Sequence, residues 1–143
     1  MVIFKIVASE EWAKGNGATP IATVLAYGTV ADDFPYLPRT PANAAKQALE
    51  KIGKSADDVD LWEINEAFAS VAINSIRMLN IDEDKVNVNG GAIALGHPIG
   101  ASGGRIVGAL VHELRRRGGG LGVAAICSGG GQGDAIVLEV NGS

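Results

Sequence analysis

Apolar runs of strand length alternate along this chain with longer stretches in which apolar residues recur every three or four positions. Residues 21–30, rich in Ile, Val, Thr and Tyr, predict a strand. Thr40 and Pro41 then take the form of an N-cap and first helical residue, Ala44, Ala45, Ala48, Leu49 and Ile52 share one face, and Gly53 is the stop. A second strand is expected over 59–64, followed by a helix over 66–80 whose Phe68, Val71, Ala72, Ser75 and Leu79 line one side. A short third strand at 86–88 leads into a glycine-rich loop. Beyond it, a helix over 101–117 is expected to bury Ile106, Val107, Leu110, Val111 and Leu114, and strands at 122–126 and 135–140 close the chain.

From residue 21 the order is β-α-β-α-β-α-β-β. Such alternation predicts an α/β fold, a mixed and mainly parallel sheet covered by helices. The last two strands, joined by a glycine turn too short for a crossover, are expected to be antiparallel. Residues 1–17 read as a further strand and short helix placed ahead of this unit.

Composition narrows the classes. A chain of 143 residues with 47% hydrophobic content supports one domain with a sizeable core. Its net charge of −4 gives no support to a nucleic-acid partner, which would need concentrated Lys and Arg. The basic run Arg115, Arg116, Arg117 stands just before Gly118, where cations meet the exposed carbonyls of a helix end. The opening MVIFKIVA is too short, and too interrupted by Lys5, for a signal peptide, and no stretch is apolar enough to span a bilayer. One cysteine closes no internal disulfide, so a reducing, cytoplasmic location is expected.

The chemistry concentrates in three motifs. His97 lies in GGAIALGHPIGASGGR, ahead of Pro98, which disfavours helix at His97 and puts it on a loop at the mouth of the sheet. Its alternatives are a helix-capping or core histidine. The neighbouring Gly90, Gly91, Gly96, Gly100, Gly103 and Gly104 weigh against those, because their entropy cost is best explained by close approach of backbone to backbone or ligand. Cys127 ends a strand and opens the glycine turn of CSGGGQGDA; it reads either as a small buried hydrophobe or as a thiol beside inward-pointing amides. Asn65, opening NEAFA after a strand, reads as an N-cap or a site residue, and Glu66 as an acid suited to a first helical turn. Phosphate-loop and dinucleotide patterns fail, since His97 and Pro98 replace the Lys and hydroxyl residue and no GxGxxG follows a strand. Cys127, His97 and His112 show no metal-ligand spacing, and His112 is expected on the solvated side of its helix. Asn65, His97 and Cys127 all fall at carboxyl ends of expected strands.

Over about residues 18–140, these three motifs in this order resemble the C-terminal domain of the thiolases, enzymes that make or cleave 3-ketoacyl-coenzyme A thioesters. The resemblance implies one half of the thiolase fold, with residues 19–143 as that domain and 1–18 as a remnant or rebuilt connection from a preceding half. It implies catalytic roles for four residues. His97 activates the nucleophilic cysteine and donates to the thioester oxygen, Asn65 holds a water in the same oxyanion site, Cys127 moves the α-proton as acid and base, and the Gly129 N–H helps form a second oxyanion hole. Ala67 and Phe68 are expected to line the acyl and pantetheine pocket. The substrates would be acyl-CoA and CoA, with no further cofactor and no metal, placing the chain in fatty acid and lipid metabolism.

Thiolases attack with a second cysteine from an N-terminal half, and this sequence holds only Cys127. The isolated chain is therefore expected to be inactive, and to be truncated, processed or rebuilt. Its expected partners are the missing N-terminal half or a second copy of itself. The other reading is a noncatalytic binding or assembly module that self-associates.

Overall fold

A computed structural model describes residues 3–142, and among them the sequence patterns resolve into four strands and five α-helices, linked by 3-10 turns. The strands β1 (Thr23–Ala31), β2 (Leu61–Ile64), β3 (Gly120–Ser128) and β4 (Gln132–Val140) make one sheet in the order β1-β4-β3-β2. The helices are α1 (Glu10–Gly15), α2 (Thr40–Glu50), α3 (Ala69–Leu79), α4 (Ala92–Leu95) and α5 (Ser102–Arg116). As expected from their short connection, β3 and β4 form an antiparallel hairpin, with Cys127 opposite Gly133 and Ser128 opposite Gln132. β2 runs parallel to β3 with Ile64 opposite Ala125, and α3, α4 and α5 fill the crossover between them.

The mixed α/β class is as expected, but the balance of strand directions is not. β1 joins β4 antiparallel, so two of the three pairings between named strands are antiparallel. The expected strand at 86–88 contracts to one parallel bridge between Trp62 and Val86. Asn87 explains this. It sits in the left-handed region at φ 48°, which asparagine tolerates better than most residues. Its Oδ1 accepts from the Ile64 N–H at 2.8 Å and its Nδ2 donates to the Ile64 carbonyl at 2.9 Å. One side chain occupies both backbone groups that a neighbouring strand would have paired, and the ladder stops.

Alternation along the strands separates two cores. On one face Trp62, Ile64, Val123, Ala125, Ala135 and Val137 pack with α2 and α3. On the other, Leu61, Ala124, Leu138 and Val140 meet the stripe Ile106, Leu110, Val111 and Leu114 of α5. Those α5 positions, and Ala44, Ala45, Ala48 and Leu49 of α2, are the ones the 3.6-residue period selects. Thr40 departs from its expected part: a 3-10 turn over Phe34–Arg39 leads into the helix, and the buried Thr40 hydroxyl lies 2.8 Å from the Gln132 carbonyl and 2.9 Å from that of Leu37. It ties α2 to β4 rather than capping a free end. Ahead of β1, Ser9 caps α1 by accepting from the Trp12 N–H at 3.1 Å, and residues 3–9 pair with no strand.

Candidate active site

β2 delivers Asn65 to the carboxyl edge of the sheet, where its N–H donates to the Ala125 carbonyl at 2.9 Å and its side chain is fully buried. Across from it stands the exposed His97. The loop reaches that point by a four-residue helix, α4, that ends at Gly96, whose φ of 94° lies where a side chain would be strained. The chain then turns through Pro98 into α5, with the Pro98 carbonyl accepting from the N–H groups of Ala101 and Ser102 at 2.7 and 2.9 Å.

Four side chains join into one polar line. Arg105 Nη2 donates to Asn65 Oδ1 at 3.2 Å, and Asn65 Nδ2 lies 3.5 Å from His97 Nε2. On the other side of the ring, His97 Nδ1 is 2.6 Å from the hydroxyl of the buried Ser102, which donates to the Pro98 carbonyl at 3.2 Å. Ser102 and Arg105 stand three residues apart on the first turn of α5, on the same side of the helix. Behind them, buried on β2, lies Glu63. Burial raises its pKa to about 7, the Arg105 charge lowers it and the Glu66 charge raises it.

Glu66 itself is placed differently from the expectation. The helix begins at Ala69, not at residue 66, and the Glu66 carboxylate turns to the loop: Oε2 accepts from the Ile93 N–H at 3.0 Å and Oε1 from Asn87 Nδ2 at 2.9 Å. Ile93 is the second residue of α4, so Glu66 caps the short helix that carries His97. Gly91 makes room, since a Cβ there would lie 2.2 Å from the Glu66 carboxyl carbon. Close approach within the chain is thus real at Gly91, whereas Gly100 and Gly103 have no protein atom within 4 Å of where a Cβ would lie, the neighbouring chain aside.

Cys127 lies near the end of β3, next to β2, the strand that leads to Asn65. Its half-buried side chain packs against the α2-side core, and burial pushes its thiol pKa up. The structure therefore brings Asn65 and His97 together and sets Cys127 on the same sheet edge. Among the described residues Cys127 makes no side-chain hydrogen bond to either. Gly129 is exposed at the tip of the hairpin with no other residue's atom within 4 Å of where a Cβ would lie, its chain neighbours aside, whereas Gly131 is pinned, φ 72°, with its carbonyl accepting from the Asp32 N–H at 2.8 Å. Ala67 is half-buried. Phe68, expected on the buried side of the helix, is 65% exposed because the helix starts one residue later. Ile93, Leu95 and Ile99, in the segment that carries His97, are likewise exposed.

Sequence reasoning missed α4, Ser102, Arg105, Glu63 and the true use of Glu66. The polar residues Ser102 and Arg105, three apart in a helix start otherwise made of glycine and apolar residues, were the available signal. His112 is exposed, as expected. Its neighbour Glu113 is buried and accepts from Arg116 and Arg117 at 2.9 and 2.7 Å, so two of the three terminal arginines serve one carboxylate and hold its pKa well below the usual range. No cluster suited to a metal occurs among the described residues, and no helix there is long and apolar enough to cross a membrane.

Comparison with known proteins fits this geometry. Residues 18–140 match the family described as "Thiolase, C-terminal domain". A probable acetyl-CoA acetyltransferase of Mycobacterium tuberculosis is 51% identical over 94% of this chain, and the mitochondrial 3-ketoacyl-CoA thiolase of Bos taurus is 48% identical over the same share. The crystal structure of human mitochondrial 3-ketoacyl-CoA thiolase superposes with a TM-score of 0.90 at 48% identity over 93% of the chain. That of Acat5 thiolase from Ascaris suum, in complex with coenzyme A, gives 0.88 at 46% identity, also over 93%. The chain spans about a third of the length of these relatives, 34% in each case. By family match, identity and fold, the chain belongs to the thiolases, as their C-terminal domain.

Proposed function

We propose that this chain supplies the acid, base and oxyanion groups for acyl transfer between acyl-CoA and CoA, by Claisen condensation or thiolysis of 3-ketoacyl-CoA. The observation that carries the reading is the pairing of Asn65 with His97 at the sheet edge where Cys127 also ends its strand. In thiolysis, a cysteine thiol from a thiolase N-terminal half gives its proton to the His97 imidazole and adds to the 3-keto carbon. The resulting N–H and a water held by Asn65 stabilise the oxyanion, and preorganised donors of this kind are each worth about 3 kcal/mol. Cleavage of the carbon–carbon bond leaves an enolate of acetyl-CoA. Its oxygen accepts a hydrogen bond from the Gly129 N–H and its carbon takes the Cys127 proton. Burial keeps that thiol protonated, the form this step needs. The Cys127 thiolate then takes the thiol proton of CoA, whose sulfur displaces the acyl group from the nucleophilic cysteine, and His97 returns its proton to that cysteine. Ala67 and Phe68 would line the path of the acyl and pantetheine chain. No cofactor is used; the CoA thioester is the substrate.

A cytoplasmic setting is supported by the single cysteine. Thiolysis of acetoacetyl-CoA tests the proposal. The purified chain alone is expected to show none, and co-expression with a thiolase N-terminal half is expected to restore it, with Cys127→Ala and His97→Ala each abolishing the gain. Turnover by the chain alone that Cys127→Ala abolishes would overturn the expected inactivity, and no turnover by a stable complex of both halves would overturn the catalytic role.

The exposed apolar residues Phe68, Ile93, Leu95 and Ile99 favour a second reading, a noncatalytic module that pairs with itself. Solution mass separates the two: a dimer that ignores the N-terminal half supports the module.

A further inference from the structure

A neutral imidazole carries its proton on either nitrogen, and its neighbours decide which. A guanidinium only donates hydrogen bonds, so the Arg105 Nη2 contact at 3.2 Å requires that the oxygen of Asn65, not its nitrogen, face Arg105. The Asn65 Nδ2 hydrogens then face His97 Nε2, and that nitrogen pairs with them only through its lone pair. At the other end the Ser102 hydroxyl lies 2.6 Å from His97 Nδ1 and 3.2 Å from the Pro98 carbonyl, so with its hydrogen on the carbonyl it turns a lone pair to Nδ1. The Asn65 end sets the tautomer with the proton on Nδ1, and the Ser102 hydroxyl can accept from it. Both ends are set from the first turn of α5.

We infer that Arg105 is a positioning residue: by holding the Asn65 carbonyl it keeps the His97 lone pair on Nε2, the nitrogen facing the sheet edge. Among the described residues no two-pronged bridge holds Arg105. Glu63 is 3% exposed, and its Oε2, like Arg105 Nε and Nη1, is buried and without a hydrogen-bond partner among the described residues. Glu63 on β2 and Arg105 on α5 influence each other across that interface, with Glu66 also near Glu63, and Nη2 is left for Asn65.

The inference draws its chemical meaning from the proposed roles of His97 and Asn65, but its test does not depend on turnover. The chain with 15N-labelled imidazoles, carrying His112→Gln so that one histidine reports, is studied by NMR well above the ordinary histidine pKa of about 6.5. Nε2 should resonate as the unprotonated nitrogen, with the Nδ1–H tautomer in about tenfold excess, the scale of one charge-assisted hydrogen bond. Arg105→Met should reduce this to a mixture. If that variant does not fold, Asn65→Asp gives a second reading, since it presents an acceptor to Nε2 and should move a proton there. A protonated Nε2 in the otherwise unaltered chain, or a tautomer ratio unchanged by either substitution, overturns the inference. The expected tautomer in a chain that stays inactive with its N-terminal half would leave Arg105 its role and remove only the catalytic reading.

Discussion

The α2-covered side of the sheet and the rim that carries Asn65 and His97 are held together by different means. Under α2, Ala42, Ala44, Ala45 and Ala48 are wholly buried, and a Cβ on Gly28 would lie 2.1 Å from the Ala44 carbonyl oxygen. That region is specified by shape, and small residues let helix and strand backbones approach closely. At the rim, large apolar side chains stand in solvent while Asn65, Ser102 and Glu63 are buried among directed hydrogen bonds and charges. Packing alone tolerates many sequences of similar volume. A polar line fixes donors and acceptors individually, which is what a site for a developing oxyanion needs. β2 and the residues just after it run from one regime to the other.

Perturbing successive residues of that run should therefore give different signatures. Trp62, 1% exposed at the centre of the α2-side core, should cost about 4 kcal/mol on replacement by Ala, read as a lower urea midpoint, because the cavity cannot close. A loss below about 1 kcal/mol would mean this face is not packed as described.

Glu63 should instead show its effect through pH. Its folded pKa of about 7 lies above the ordinary 4.5, so its contribution is fully present below pH 4.5 and is lost as pH rises to about 7. The loss is up to about 3 kcal/mol, since each tenfold difference in proton affinity between the folded and unfolded chain is worth about 1.4 kcal/mol. Subtracting the stability curve of Glu63→Gln from that of the parent isolates this slope from that of Glu113, whose depressed pKa acts in the opposite sense. Parallel curves would show that Glu63 ionises normally.

At the rim, Glu66→Ala should cost about 1.5 kcal/mol through the lost cap on α4. Gly91→Ala should cost a similar amount by expelling the carboxylate, yet almost nothing once Glu66 is already Ala. A double-mutant cycle measured by denaturation checks this. Coupling of about 1 kcal/mol supports the interlock, and simple additivity refutes it.

The same contrast explains what was readable in the sequence. Helical faces and the hairpin follow from periodicity and turn length, and so did the strand-end positions of Asn65 and Cys127, whereas His97 follows α4 rather than a strand. Interactions that depend on one side chain reaching a distant backbone group left no period to read. The strand expected at 86–88 was stopped by the Asn87 carboxamide, and Glu66, next to Asn65 in sequence, bonds to Ile93 twenty-seven residues away. α4 is only four residues long, too short to show a helical repeat, and Ser102 and Arg105 were hidden by the glycines between them. Thr40 misled for a related reason, since its capping type served a tertiary bond to β4.

The Asn87 carboxamide has a further consequence at the margin of the sheet. Exposed edge strands offer unpaired backbone groups to any passing extended chain, and proteins blunt them to avoid unwanted growth. Here β2 is only four residues long and its last backbone pair is already taken by a side chain, while the opposite edge, β1, is broken by an irregularity between Val24 and Ala26. Both margins of the sheet are thus interrupted from within this chain, which discourages growth by strand addition and leaves association to its apolar faces.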